Sequence, residues 1–179
     1  ECVWAYESWG NAPGETPWKQ RLGDKTWGRG YYFDLLPRLV AALDPTRPYW
    51  ANSPWSGSHS IPTNGQNHGD RHTWDVRMKG YRTIIPRSCS ELGHQSPANW
   101  ETLEAVLLED ELVRGSKGLT HRQRATGGTT KHIDEMLEDL STHSDVRSWH
   151  QFAQLAQGTS LRDGIEWLRV HRPRCMGVL

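Results

Sequence analysis

Pro86-Arg87-Ser88-Cys89-Ser90-Glu91-Leu92-Gly93-His94-Gln95 decides how the rest of the chain is read. It has the form of a short buried strand that delivers one carboxylate, Glu91, to a turn opened by Gly93. A strand that ends on an acid and then turns at glycine is how a parallel barrel presents a catalytic group at its mouth. The 179 residues also hold 10 tryptophans. An indole offers a flat apolar face and one polar edge, which suits the C–H face and hydroxyls of a sugar ring.

Outward from this stretch, short strands alternate with helices. The first 30 residues are loop-like, punctuated by Trp9-Gly10-Asn11-Ala12-Pro13-Gly14 and Gly28-Arg29-Gly30. From Tyr31 to Leu43, Tyr32, Leu35, Leu36, Leu39, Val40 and Leu43 recur at helical spacing. Pro37 falls inside that run, so the helix kinks or starts late there. Tyr49-Trp50-Ala51-Asn52 and His72-Thr73-Trp74-Asp75-Val76 are strand candidates. The Gly/Ser/Asn/Pro loop over 53–71 is long enough to be functional. Downstream, helices are expected over Asn99 to Leu112, Ile133 to Leu140 and Ser148 to Val170, with a loop at Thr120 to Gly128 and a last strand at Cys175 to Leu179.

Alternating strands and helices predict parallel β/α units. Four units cannot close a barrel of eight, so the expected fold class is α/β, the C-terminal half of a (β/α)8 barrel. Glu1 opens directly on an aromatic-rich segment, and Met176-Gly177-Val178-Leu179 stops inside a buried-strand pattern. A piece of a longer chain, truncated at both ends, is therefore expected.

Lys+Arg and Asp+Glu both number 21, a formal net charge of zero. Without a basic field, nucleic acid is not expected as a partner. No apolar run approaches about 18 residues, so no membrane-spanning helix is expected. Glu1-Cys2-Val3-Trp4-Ala5-Tyr6-Glu7 carries no basic-then-apolar signal pattern. Cys2, Cys89 and Cys175 form no CxxC pair, which argues against a disulfide framework and a cysteine zinc site. Sparse cysteines favour a reducing compartment, and a cytoplasmic location is the expectation.

No metal or cofactor is expected either. His68-Gly69-Asp70-Arg71-His72 sets two histidines four apart, but Gly69 disfavours the helix that would make them converge. Thr126-Gly127-Gly128-Thr129-Thr130-Lys131 lacks the GxxxxGK[ST] order of a phosphate loop, and no G-x-S-x-G occurs.

A strand-end acid such as Glu91 can simply cap a helix or pair with an arginine. In glycoside hydrolysis it would need a second carboxylate, one group serving as acid/base and the other as nucleophile or base. Glu1, Glu7, Asp70 and Asp75 are candidates; by spacing alone none stands out, and Asp70 or Asp75 is the naive choice. Trp4, Trp9, Trp27, Trp50, Trp55 and Trp74 lie mostly in loops or at strand ends. Core packing explains any one of them. Six outside helix faces are harder to assign to a core.

Several longer blocks converge on one family. Leu43-Asp44-Pro45-Thr46-Arg47-Pro48-Tyr49-Trp50, Ser53-Pro54-Trp55-Ser56-Gly57 and Gly69-Asp70-Arg71-His72-Thr73-Trp74-Asp75-Val76 resemble β-mannosidases of glycoside hydrolase family two. So do Ser90-Glu91-Leu92-Gly93-His94-Gln95-Ser96, Leu119-Thr120-His121-Arg122-Gln123-Arg124-Ala125-Thr126-Gly127-Gly128 and Glu166-Trp167-Leu168-Arg169-Val170-His171-Arg172-Pro173. The resemblance covers nearly the whole chain.

It implies that residues 1–179 are one partial catalytic domain, from the end of strand four to strand eight of the barrel. It also implies hydrolysis of terminal β-D-mannosides with retention. The family's Ser-Glu-(aromatic)-Gly nucleophile motif matches Ser90-Glu91-Leu92-Gly93, and its acid/base falls on Glu1. By the same resemblance Trp9, His72 and Trp74 line the mannose subsite. The implied partners are a β-mannoside oligosaccharide or glycan and the remainder of a parent chain.

Three residues depart from the family pattern: Leu92 for an aromatic, Arg77 for a tryptophan and Ser88 for an apolar strand residue. These bear on subsite shape and strand packing. The alternatives are a related exo-glycosidase for β-galactosides or β-glucuronides, and a non-catalytic sugar-binding homologue. The 179-residue chain alone is expected to be inactive or nearly so. An open half barrel leaves half a site, and an ammonium on Glu1 itself would favour its carboxylate over the acid form.

Overall fold

The computed structural model describes residue 3 and residues 28–76, 78–123 and 145–179. The chain divides into two compact units. One is Glu1–Val76 with Gly80–Leu92 and Ile165–Leu179, and the other is Arg77–Lys79 with Gly93–Gly164.

In the first unit, β1 (Arg71–His72) and β2 (Cys89–Glu91) pair in parallel. Arg71 N–H donates to Ser88 O at 3.0 Å and Thr73 N–H to Glu91 O at 2.9 Å. The other edge of β2 meets the C-terminal residues. Met176 N–H donates to Arg87 O at 3.0 Å, Cys89 N–H to Gly177 O at 2.9 Å and Leu179 N–H to Cys89 O at 2.9 Å. Cys89 and Val178 thus form a parallel bridge, and β2 is a central strand with both edges satisfied.

The crossover from β1 to β2 carries a 3₁₀ helix, Met78–Thr83. Parallel pairing and crossovers agree with an α/β class. Among the described residues, however, the sheet is only β1, β2 and the bridge at Val178, shorter than expected. The expected strand His72–Val76 ends at His72, because the chain turns and Val76 N–H bonds back to Thr73 O at 3.2 Å. Residues 49–52 form no strand.

Beneath β2, Cys89, Leu168 and Cys175 are buried together, with Leu92, Trp167 and Val178 packed against them. The indole N–H of Trp167 donates to Ile84 O at 2.9 Å, so this large ring is satisfied at both its apolar and polar ends. The helix expected from Tyr31 begins as a π-helix, Tyr31–Leu35, and becomes regular in α1, Leu36–Leu43. Pro37 lies in the first turn of α1, where a missing N–H removes no helical bond. No residue of α1 is buried, and of the apolar stripe read from its periodicity only Leu36 and Val40 are half-buried.

The described residues of the second unit are mainly helical. α2 (Trp100–Val106) is capped by Asn99, whose side chain accepts Thr102 N–H at 3.1 Å. α3 (Lys117–Arg122) is capped by Ser116 through Leu119 N–H, also at 3.1 Å. The long α4, Val146–Val170, supplies Trp149, Ala153 and Ala156 to a core with Leu103, Leu107 and Leu119. Its adjoining face holds the segment after β2. His150 Nε2 meets Ala98 O at 2.7 Å, Gln154 donates to Ser96 Oγ at 3.0 Å and Gln157 donates to His94 O at 3.0 Å. The helix expected over Ile133 to Leu140 lies outside the described residues.

Candidate functional site

The site is built on the pairing of β1 with β2. Arg71 pairs with Cys89 and His72 with Glu91, so β2 spends one residue more than β1 between the two pairs. Ser90 is that extra residue, a bulge of the kind that re-aims neighbouring side chains. His72 Nδ1 and Glu91 Oε2 lie 3.2 Å apart. Trp74 donates its indole N–H to the same oxygen at 2.6 Å. The backbone carbonyl of Glu91 is also held, by Thr73 N–H and Thr73 Oγ, each at 2.9 Å.

The Glu91 side chain is 39% exposed, whereas that of His72 is fully buried. His72 therefore backs the carboxylate from inside. Trp74, 51% exposed, approaches the same carboxylate from the solvent side.

Asn64 fixes His72 from the other edge. Its side chain accepts His72 N–H at 2.8 Å and donates to His72 O at 2.9 Å. One loop amide thus serves both main-chain groups as a neighbouring strand would. Arg71 donates to Asn64 O at 2.6 Å and pairs with Asp75.

Asp70 lies just before β1 and is fully engaged. Its Oδ1 accepts Trp50 Nε1–H at 3.1 Å and Trp55 N–H at 3.0 Å. Its Oδ2 accepts Ser53 Oγ–H at 2.6 Å and Ser90 Oγ–H at 2.5 Å. Burial alone pushes this carboxyl up, but the hydrogen bonds together outweigh it and hold Asp70 below its ordinary value. The tight approach behind it requires Gly69. With φ at +59°, a Cβ there would lie 1.8 Å from Trp55 O.

The two naive candidates for a second carboxylate are thus committed elsewhere, Asp70 to four donors and Asp75 to Arg71. Of the residues named from sequence, Glu91, His72 and Trp74 come together. Glu1 and Trp9 lie outside the described residues, as do Glu7, Trp4, Trp27 and Arg77. Trp55 is a core residue, edge-on to Phe33 at 5.2 Å and to His59 at 4.8 Å. Trp50 is 53% exposed. The roles of Asn64, Ser53 and Ser90 escaped the sequence reading, since short polar side chains carry no periodic signal whether in the 53–71 loop or within β2.

Burial pushes the Cys89 thiol up, as it does that of Cys175, so both are inert rather than nucleophilic. Among the described residues no three His, Cys, Asp or Glu side chains are grouped to hold a metal ion. No described helix is long and apolar enough to cross a membrane.

No protein-family model matches the chain. It is 27% identical over 149 residues to β-mannosidase B of Emericella nidulans, covering 79% of this chain and 17% of that protein. It is 30% identical over 122 residues to the Bos taurus β-mannosidase, covering 63% of this chain and 13% of that one. The crystal structure of β-D-mannosidase from Dictyoglomus thermophilum matches it with a TM-score of 0.77 at 32% identity, over 86% of this chain and 19% of that chain. The chain therefore spans only 13% to 17% of the length of these two curated relatives.

Proposed function

The chain is a β-mannosidase-like segment, and we propose that it supplies the nucleophile of a retaining exo-glycosidase acting on terminal β-D-mannosides. In this reading the parent chain folds a (β/α)8 barrel, of which residues 1–179 run from the end of strand four to strand eight. Glu91 is the nucleophile and Glu1 the acid/base. Trp9 and Trp74 border the mannose subsite, with His72 beneath Glu91.

One observation carries the reading. Glu91 ends a central parallel strand with Oε2 accepting the Trp74 indole N–H, 3.2 Å from His72 Nδ1, while its side chain stays partly open to solvent. Among the described residues Oε1 accepts no hydrogen bond, which leaves a lone pair for an anomeric carbon. The indole bond restricts the carboxylate before attack, which supports a positioned nucleophile.

The reaction is a double displacement. Glu91 bonds to the anomeric carbon as Glu1 gives its proton to the departing oxygen. Glu1 then takes a proton from water, and that water displaces Glu91 to release mannose. The partners are a β-mannoside oligosaccharide or glycan and the remainder of the parent chain. Residues 1–179 alone are inactive or nearly so, because an open sheet of few strands presents half a site.

The test is turnover of aryl β-mannosides, β-galactosides and β-glucuronides by the full-length protein and its Glu91→Gln variant. Mannoside turnover is expected in the wild type and a loss of at least about 10³-fold in the variant, with substrate binding retained. A variant that turns over as well as the wild type would overturn the assignment. Preference for another glycoside would move the substrate class.

A further inference from the structure

We propose that Asp70 is a positioning residue for Glu91, acting through the Ser53 hydroxyl on His72 and through the Ser90 hydroxyl on the strand that carries Glu91. This rests on the reading of Glu91 as nucleophile. Asp70 touches neither substrate nor Glu91, and its influence passes along hydrogen bonds.

Ser53 Oγ is the junction. It lies 2.6 Å from Asp70 Oδ2, 3.0 Å from His72 Nε2 and 3.1 Å from Ser90 Oγ. A hydroxyl has one proton, and an ionised carboxylate only accepts. The Ser53 proton therefore goes to Asp70, and so does the Ser90 proton across 2.5 Å. Ser53 then meets His72 as an acceptor, and the ring proton sits on Nε2. The far nitrogen, Nδ1, faces Glu91 Oε2 at 3.2 Å. That contact attracts only with a proton between the two atoms, on the ring or on the carboxyl.

Asp70 thus fixes which nitrogen of His72 is committed away from Glu91. Through Ser90 it also pins the bulge residue directly before Glu91. The carboxylate itself has little freedom, since Trp50 and Trp55 hold its other oxygen. Among the described residues, the pair is also met by the Asn64 amide on the His72 backbone, the Trp74 indole on Glu91 and Thr73 on the Glu91 carbonyl.

Asp70→Asn separates shape from charge. Its amide oxygen can still accept from Trp50 and Trp55, which turns the NH₂ toward the two serines. Both hydroxyls must then accept, and the Ser53 proton is released to His72 Nε2. The ring tautomer reverses and Nδ1–H donates to Glu91. Ser53→Ala breaks the same link without touching Asp70, whereas Ser53→Thr keeps the hydroxyl.

The experiment uses the full-length protein and 2-deoxy-2-fluoro-β-D-mannosyl fluoride. With this probe the Glu91 oxygen bonds to C1, the C1–F bond breaks and fluoride leaves, so the adduct accumulates. Mass spectrometry locates it, and the rate and concentration dependence of inactivation are measured well below each variant's unfolding temperature. Wild type is expected to label on Glu91. Asp70→Asn and Ser53→Ala are expected to lower the inactivation rate constant roughly 10- to 100-fold with the half-saturating probe concentration unchanged. Ser53→Thr should recover most of that loss.

If Glu91 labels in wild type and both Asp70→Asn and Ser53→Ala label at the wild-type rate, with only their unfolding temperatures lowered, this proposal is overturned and the nucleophile assignment stands. If wild-type Glu91 does not label, the nucleophile assignment falls and the proposal falls with it. Should Asp70→Asn fail to fold, the contrast between Ser53→Ala and Ser53→Thr decides.

Discussion

Trp74 donates its indole N–H to Glu91 Oε2 over 2.6 Å, across the paired ends of two parallel strands. The bond joins a half-exposed aromatic face to a carboxylate, so a sugar resting on the ring would meet the acid at its edge. Hydrogen bonds to charged groups are worth about 1.5–3 kcal/mol. Trp74→Phe keeps a flat ring and removes the donor. It is expected to lower kcat/KM for an aryl β-mannoside about 10- to 100-fold in the full-length protein, measured by steady-state kinetics. A change of less than about twofold would mean that the N–H does not hold the nucleophile.

Asp70 gives the site a defined response to acid. Burial pushes its carboxyl up, and the bonds from Ser53, Ser90, Trp50 and Trp55 more than reverse that, so its folded value lies below its unfolded one of about 3.9. The ionised form is then the stabilising one. Its contribution is complete above the unfolded value and is lost as pH falls through the lower, folded value. The melting-temperature gap between wild type and Asp70→Asn should be level from about pH 7 to about pH 5 and shrink below about pH 4. A gap that widens on acidification would contradict this sign.

Gly69 admits no side chain. A Cβ would lie 1.8 Å from Trp55 O, and φ is +59°. Gly69→Ala must push apart the Trp55–Asp70 bridge, whose backbone bond from Asp70 N–H spans 3.3 Å. A destabilisation of more than about 1 kcal/mol is expected, with faster amide hydrogen exchange at Asp70. Wild-type exchange there would show that the loop absorbs the methyl group.

Leu168 is fully buried against Cys89 and Cys175, directly under the strand that ends on Glu91. Leu168→Ala should cost about 2–5 kcal/mol, read by urea denaturation, and should speed amide exchange at Cys89. A cost under about 1 kcal/mol would remove Leu168 from the core.

What the sequence disclosed depended on the kind of signal each residue carries. Pro37 marks the regular start of α1 because proline is tolerated only in a first helical turn. Glu91 is legible because an acid at the end of a short strand pattern is followed by a turn at Gly93. Strand lengths were not legible: the alternation through Val76 continues past the point where the chain turns at Thr73. Spacing also did not single out a second carboxylate. Asp70 is occupied by Ser53, 17 residues before it, and by Ser90, 20 residues after it. Nothing in the spacing of either serine points to Asp70, and only the fold brings them to one oxygen.

The central claim is that Glu91 and Glu1 form a retaining pair, and the separation of their carboxyl groups in a crystal structure of the full-length protein tests it most directly. A double displacement through Glu91 predicts about 5–5.5 Å. A separation well beyond about 10 Å would contradict it.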